Sequence, residues 1–526
     1  MATRWSEPWW VIPVAIGLGA RAILAATLPI MFDEAWSIKQ AVDVSAEMFL
    51  GREGDASPPL SYLLFAAWGV ISWSIAWFRL LPIMVSLAAI YPGALLGRRL
   101  FGESAVRPTV WILAVWPLPL YAGWNVRYYS LLLLLSAFYL LCWVRPLTRE
   151  SALPDRPVVT SVLEVLLFHT AYTSLPLIVA LNGYGIWRLL LAREWRALAR
   201  WGGRGLVVIL LCIPQYLVYR GTAKGIATVL ESYPSFGFVP DLLVTGKAVI
   251  LTELPYWHDV VLRPLWLLPA IVIASAALGL WRRGRVAGPA LIVMFLTTLL
   301  VAIGIGSGLR RLGQYYFQIL PLVAVTVGAG LSQFPRSARV AAIAVVASVS
   351  LLRLVDPAYH YAFADTRGVA RVVDRVNQAT PVVYLDNVLR AFTDATQFSK
   401  PRRIAIITDD AVPQQHDPGV REERWWSDPA VYDRPLLFQP ATGVYAERWS
   451  RQRWATTLAR AEPGEMYLVV PVEARGTAGV RAEAVERGRR AADSILSVAN
   501  GAWQISESQL PGTLVFHLRR PVRAAE

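Results

Sequence analysis

Apolar windows of about 17 to 22 residues recur from Trp9 to Leu354, each long enough to cross bilayer hydrocarbon as a helix. They fall at roughly 9–30, 78–97, 107–124, 128–144, 158–171, 173–191, 205–219, 263–281, 287–306, 315–331 and 338–355, which predicts about eleven spans. After Asp356 the pattern changes to mixed charges and short apolar runs, with no spanning segment. Val369, Val372, Val373 and Val376 keep helical spacing, whereas Val382–Leu385, Ile404–Ile407, Met466–Val470 and Thr513–Leu518 read as strands. A helix from about Val480 to Val498 separates the last two strands. The expected architecture is a polytopic α-helical membrane domain, 1–355, followed by a soluble α/β domain, 356–526, on a small, mostly parallel sheet.

One apolar segment, Pro58 to Trp73, does not fit the span pattern. It opens Ser57-Pro58-Pro59 and is interrupted by Trp68, Gly69, Trp73 and Ser74. Charge arbitrates. Basic residues cluster in the short connections: Arg98, Arg99 and Arg107; Arg145, Arg149 and Arg156; Arg188, Arg193, Arg196, Arg200 and Arg204; Arg282, Arg283 and Arg285; Arg336 and Arg339. All of these fall on the cytoplasmic side only if 58–73 lies in the outer interface as a tryptophan-anchored helix. The N-terminus is then inside and the C-terminal domain outside.

Composition agrees with this reading: 55% of residues are hydrophobic and mean hydropathy is +0.44. A net charge of +14 would point to nucleic acid in a soluble protein. Here the excess sits in the connections between spans and is a topology signal, while the C-terminal domain is nearly balanced, so no nucleic-acid partner is expected. Cys142 and Cys212 both lie in apolar spans, which excludes a disulfide framework. The first span carries Arg21 and is followed by further spans, so it is expected to be an uncleaved helix rather than a leader.

With this topology the outer face gathers a particular set of polar residues. It holds Asp33, Glu34, Lys39, Asp43, Arg52 and Asp55 in the 31–75 loop, Asn125, Arg127 and Tyr128 in one turn, His169 and Tyr172 in another, and Arg310 and Arg311 in a third. Charges beside hydrocarbon are costly unless paired or hydrated, so such a gathering marks a candidate site. Asp33-Glu34 is either a solvated helix stop or a general base that takes a proton from an attacking hydroxyl. Arg127, Arg310 and Arg311 are either snorkelling helix-end charges or a set of guanidinium forks for a phosphate. His169 alone reads more readily as a satisfied core histidine than as a catalyst. Gly304-Ile305-Gly306-Ser307-Gly308 follows no strand and is not a dinucleotide fingerprint.

The ordered set of motifs resembles the GT-C glycosyltransferases, in particular the dolichyl-phosphate-mannose protein mannosyltransferases and the aminoarabinose transferases. Phe32-Asp33-Glu34-Ala35-Trp36 resembles their Asp-Glu motif, Ser57-Pro58-Pro59-Leu60 their Pro-Pro-Leu juxtamembrane helix, and Arg79-Leu80-Leu81-Pro82 with Gly97-Arg98-Arg99-Leu100-Phe101-Gly102 the span that follows. Arg127-Tyr128-Tyr129, His169 with Tyr172, and Tyr315 to Pro321 match later elements in order, and Gly464–Val470 and Gly512–Pro521 resemble the outer domain of bacterial members. Two departures stand out: Ser57 where the family often has His or Lys, and Gln314 where an Arg often precedes the aromatic. Trp425-Trp426-Ser427-Asp428 resembles the Trp-Trp-Asp signature of oligosaccharyltransferases with the Asp displaced by one, and reads as structural.

The resemblance implies an inverting glycosyltransferase of the inner (plasma) membrane. It would move a monosaccharide from a polyprenyl-phosphate donor to a glycan, lipid or protein acceptor at the outer face, with no obligatory cofactor, although a divalent cation could bind the acidic loop. Catalysis would fall to Asp33 and Glu34, and substrate binding to Arg127, Tyr128, His169, Tyr172, Arg310, Arg311 and Arg52. The rivals are a ligase or polymerase using a lipid-diphosphate donor, and a transporter or flippase. A transporter usually carries internal repeats and broken spans at mid-bilayer, and no repeat is found.

Overall fold

The computed structural model describes residues 8–28, 57–231 apart from 73, 284–304, 313–352, 366–373, 380–385, 404–407, 436–439, 444–449, 451–460, 464–472, 478–497, 503–510 and 513–520. It also describes the single positions 34, 37, 38, 40, 41, 277 and 281. The sequence-predicted span 263–281 lies almost wholly outside these residues.

The N-terminal two thirds is a helix bundle. Its described helices are α1 (Val11–Thr27), α2 (Leu60–Gly69), α3 (Ile75–Ala88), α4 (Ile90–Phe101), α5 (Val106–Val115), α6 (Pro117–Trp124), α7 (Tyr129–Cys142), α8 (Pro157–Thr170), α9 (Leu175–Ala192), α10 (Trp195–Glu231), α11 (Gly284–Gly304), α12 (Leu320–Leu331) and α13 (Arg336–Leu352). Three stretches, Ile75–Phe101, Tyr172–Ala192 and Trp195–Leu217, are each long and apolar enough to cross a membrane by themselves. The other apolar helices are shorter, and proline explains one of the breaks. Pro117 cannot continue α5 because it disfavours a helical residue before it, and Trp116 accordingly adopts φ −66°, ψ 140°. The segment 58–73 contains the ten-residue α2, Leu60–Gly69, about 15 Å long.

The break at Pro117 is repaired from α1. Proline has no N–H for the Leu113 carbonyl, and Arg21 supplies donors instead. Its Nη2 bonds Leu113 O and Pro119 O at 3.2 Å, its Nη1 bonds Ala114 O at 2.7 Å and Gly17 O at 2.9 Å, and its Nε bonds Ser86 Oγ at 2.9 Å. Arg21 is fully buried, and these acceptors satisfy all three of its nitrogens without an acid. The site has no room to spare, since a Cβ on Gly123 would lie 2.3 Å from Arg21 Nε. At the centre of the bundle every residue of α12 is buried. It approaches α5 closely at Gly328, where a Cβ would meet Thr109 Oγ1 at 2.4 Å.

The bundle holds the otherwise exposed α10 by a polar clasp. Glu164 of α8 is ion-paired with Arg204 of α10 and accepts from Tyr139 of α7 and Asn182 of α9, each at 2.8 Å. Trp201 Nε1 closes the network on Asn182 Oδ1 at 2.9 Å. Buried charge in a bundle is costly unless it is paired, as here, or met by carbonyls, as at Arg21.

The C-terminal part contains α14 (Thr366–Val373), β1 (Val382–Leu385), β2 (Ile404–Ile407), β3 (Leu436–Gln439), β4 (Val444–Trp449), α15 (Arg451–Arg460), β5 (Glu465–Pro471), α16 (Ala478–Leu496), β6 (Gln504–Leu510) and β7 (Thr513–Arg519). The strands form one sheet in the order β3-β4-β2-β1-β5-β7-β6. Its centre, β4-β2-β1-β5, is parallel, but both flanks are antiparallel. The sheet is therefore mixed rather than mostly parallel, because β7 returns antiparallel to β5 and the edge strands β3 and β6 pair antiparallel with β4 and β7.

Alternation along the central strands gives the sheet two apolar faces. Val383, Met466, Leu468 and Val470 share a core with Trp454 of α15 and Ile495 of α16. Val382, Tyr384, Tyr467 and Val469 belong to a different cluster, which also contains Phe65, Phe78, Leu81 and Val126 of the helix bundle. One continuous apolar core thus joins the sheet to the corner of α2 and α3, beside the candidate site.

Candidate active site

The site is organised by a buried ion pair at the ends of α1 and α3. Residue 34 is helical, and its side chain is fully buried. Arg79, near the start of α3, grips both carboxylate oxygens of Glu34, with Nε to Oε1 at 2.9 Å and Nη2 to Oε2 at 2.6 Å. Its remaining nitrogen, Nη1, donates to Ala25 O at 2.6 Å and Leu28 O at 2.8 Å, in the last turn of α1 and the residue after it. These carbonyls have lost their helical donors because α1 ends there, so the guanidinium caps a helix while it holds Glu34. Trp124 lies 5.4 Å from the Arg79 cation, and Val126 N donates to Glu34 Oε1 at 3.3 Å.

That last bond couples the acid to the turn after α6, where Arg127 stands. Its Nη1 donates to Tyr62 Oη of α2 at 2.9 Å and to Ser37 Oγ at 3.4 Å. Its charge lies 5.9 Å from the Tyr128 ring, yet the side chain keeps partial exposure. An aromatic wall backs the turn. Tyr128, Tyr129, Tyr121 and Phe317 follow one another with centroid separations of 4.7 Å for Tyr128–Tyr129, 5.6 Å for Tyr121–Tyr129 and 5.0 Å for Tyr129–Phe317.

The structure brings Glu34, Arg127 and Tyr128 of the sequence-predicted residues into one centre. Asp33, Arg52, Arg310 and Arg311 lie outside the described residues. Arg311 precedes Gly313 by two residues, and the 3-10 segment Gly313–Ile319 carries Phe317 onto the aromatic wall. His169 and Tyr172 contact α10. His169 is hydrogen-bonded to the backbone of Leu211 in α10, and the Tyr172 hydroxyl accepts from Gln215 Nε2 at 2.8 Å. The Tyr172–Ser174 turn also packs against the Gly313–Ile319 segment.

Arg79, Tyr62 and Ser37 belong to the centre and were not expected as site residues. Arg79 had a sequence signal, an arginine inside an apolar span, which is costly unless it has a dedicated partner. Tyr62 and Ser37 had none. Among the described residues no group of three or more His, Cys, Asp or Glu gathers to hold a metal.

No family model matches the chain, and no curated protein does either. Solved structures do. The structure of ArnT from Cupriavidus metallidurans bound to undecaprenyl phosphate superposes with a TM-score of 0.54 at 14% identity, covering 98% of this chain and 98% of that one. Its apo form gives 0.54 at 13%, with 97% of each chain covered. An oligosaccharyltransferase from Archaeoglobus fulgidus in the apo form gives 0.46 at 14%, over 96% of this chain and 74% of that one. Over nearly its whole length, then, the chain has the fold of ArnT, an aminoarabinose transferase of the GT-C type.

Proposed function

We propose that the protein is an inverting glycosyltransferase that takes a monosaccharide from a polyprenyl-phosphate donor at the outer face of the cytoplasmic membrane. The observation that carries this reading is the coupling of Glu34 to Arg127. One ion pair fixes the loop that bears Asp33, and one hydrogen bond ties that pair to the turn presenting a partly exposed guanidinium. The fold shared with a protein that binds undecaprenyl phosphate supports a lipid phosphate as the group Arg127 meets.

In this mechanism Asp33 accepts the proton of the acceptor hydroxyl as its oxygen bonds to the anomeric carbon. The bond from that carbon to the phosphate oxygen breaks on the opposite face, and the configuration inverts. Charge developing on the lipid phosphate is met by Arg127 and by Arg310 and Arg311. Glu34 does not touch substrate, because both its oxygens are held by Arg79; it orients the base. Lipid phosphate is already a good leaving group, so no acid partner of the kind hydrolases use is required. No nucleotide takes part, and a divalent cation is an optional ligand of the acidic loop.

The test is transfer from lipid-monophosphate and lipid-diphosphate sugars to envelope glycans or lipids, using protein in nanodiscs. Transfer from the monophosphate alone is expected, with Asp33→Asn lowering it by about 10²- to 10⁴-fold while donor binding persists. Transfer from the diphosphate alone would replace this reading with a ligase or polymerase. Ion-coupled movement of lipid without transfer would replace it with a flippase.

A further inference from the structure

At the far end of the bundle from the Glu34–Arg127 centre lies a second cationic surface that the transfer chemistry does not use. Helix α7 starts beside Arg127 and runs for 14 residues, about 21 Å, to a connection that contains Arg149. Helix α9 begins just after the His169–Tyr172 turn and ends at Arg193. The first connection is tied to α9 by Tyr184, whose hydroxyl donates to Pro146 O at 3.4 Å and accepts from Arg188 Nη1 of the same helix at 3.4 Å.

Arg149 and Arg193 share an unusual property. They are the two non-glycine residues with positive φ among the described residues, at 66° and 59°. Left-handed backbone costs any residue with a Cβ, and glycine is the usual occupant of a helix C-cap such as position 193. Strain of this kind, where it is observed, marks positions held for a purpose. Here both strained positions carry the same charge on the same surface.

The surrounding charge is not neutralised from within. The acids of the first connection, Glu150 and Asp155, are both taken by Arg145. Among the described residues no acid is paired with Arg149, Arg188, Arg193 or Arg196, although Glu194 stands exposed between them. Two tryptophans flank the surface, Trp187 at 51% and Trp195 at 62% exposure. Indoles at the edge of apolar helices sit at headgroup level, and arginines at that level attract anionic headgroups.

We infer that the Arg149–Arg193 surface is a binding site for an anionic phospholipid headgroup of the leaflet opposite the catalytic centre. The guanidinium groups of Arg149, Arg188, Arg193 and Arg196 meet the headgroup phosphate, and Trp187 and Trp195 lie along its acyl chains.

The left-handed backbone makes the test unusually clean, because Arg149→Gly and Arg193→Gly remove the charge and suit the turn. Full-length protein in dodecyl maltoside is titrated with phosphatidylglycerol or phosphatidylcholine while thermal unfolding is followed. Phosphatidylglycerol is expected to raise the midpoint of the wild type and phosphatidylcholine is not. The R149G/R193G double variant should melt at or above the wild-type midpoint without lipid. It should need about 30-fold more phosphatidylglycerol for half of the effect, about fivefold per arginine. Three results would overturn the site: equal titration of variant and wild type, an equal loss in an R336Q/R339Q control, which would reduce the response to general surface charge, or the same stabilisation by inorganic phosphate. A wild type indifferent to both lipids would also overturn it and assign the surface to an acidic protein instead.

Discussion

Removing Arg79 tests the organisation of the site most directly. Arg79→Met keeps much of the side-chain volume but removes both bidentate bonds from the fully buried Glu34 carboxylate. It also frees the Ala25 and Leu28 carbonyls. Breaking a buried ion pair from one side costs about 3–5 kcal/mol, because the remaining charge is uncompensated. Replacing both partners is far cheaper, and well-packed apolar substitutes are often neutral. The double variant Arg79→Met with Glu34→Met should therefore recover most of the stability lost by Arg79→Met alone, with a coupling energy of about 3 kcal/mol. Steric-trap unfolding in bicelles measures these differences at equilibrium. Transfer should be lost in both variants, since neither can hold the loop that bears Asp33. If Arg79→Met costs less than about 1 kcal/mol, or the double variant is no better than the single one, the pair is not the buried clamp described above. A double variant with full transfer would refute the positioning role of Glu34.

Three further outcomes follow from the geometry. Arg127→Ala should lower kcat by about 10²- to 10³-fold if its guanidinium meets charge that develops in the transition state, measured by single-turnover transfer. Tyr62→Phe, which removes one neutral partner of that guanidinium at 2.9 Å, should cost about tenfold or less in the same assay. Gly123→Ala should destabilise the bundle by about 1–3 kcal/mol, because the new methyl meets Arg21 Nε at 2.3 Å and Ser86 Oγ at 2.7 Å; an unchanged thermal midpoint would contradict the packing around Arg21.

The apolar periodicity was sufficient to place most helices within a few residues, since a span leaves a long and unambiguous signal. Two kinds of feature stayed hidden. The first is partnership at a distance. For Glu34, expected beside Asp33 in the catalytic pair, nothing in its neighbourhood announces Arg79, 45 residues later. For His169 and Tyr172, a turn at the right level does not reveal that α10 packs against it. The second is edge strands. β6 reads Gln504–Leu510, with most of its side chains exposed, so it has no apolar run to detect. β3 is short and pairs with β4, which joins the sheet through β2. A sheet's centre is written in its valines and isoleucines, but its edges are defined by their neighbours.

Arg21 has a consequence for biogenesis. Apart from Gly17, its acceptors Ser86, Leu113, Ala114 and Pro119 are 65, 93 and up to 98 residues further along the chain. Ribosomes add about 5–20 residues per second, so the first helix carries an uncompensated cation for several seconds before its acceptors emerge. A lone arginine is costly in lipid, and the nascent helix must wait in the insertion machinery or at the water interface. Chains arrested shortly before Leu113 leaves the ribosome should therefore release residues 11–27 to alkaline extraction, whereas chains arrested well beyond Pro119 should retain them. Equal retention at both lengths would show that the helix partitions without its later acceptors.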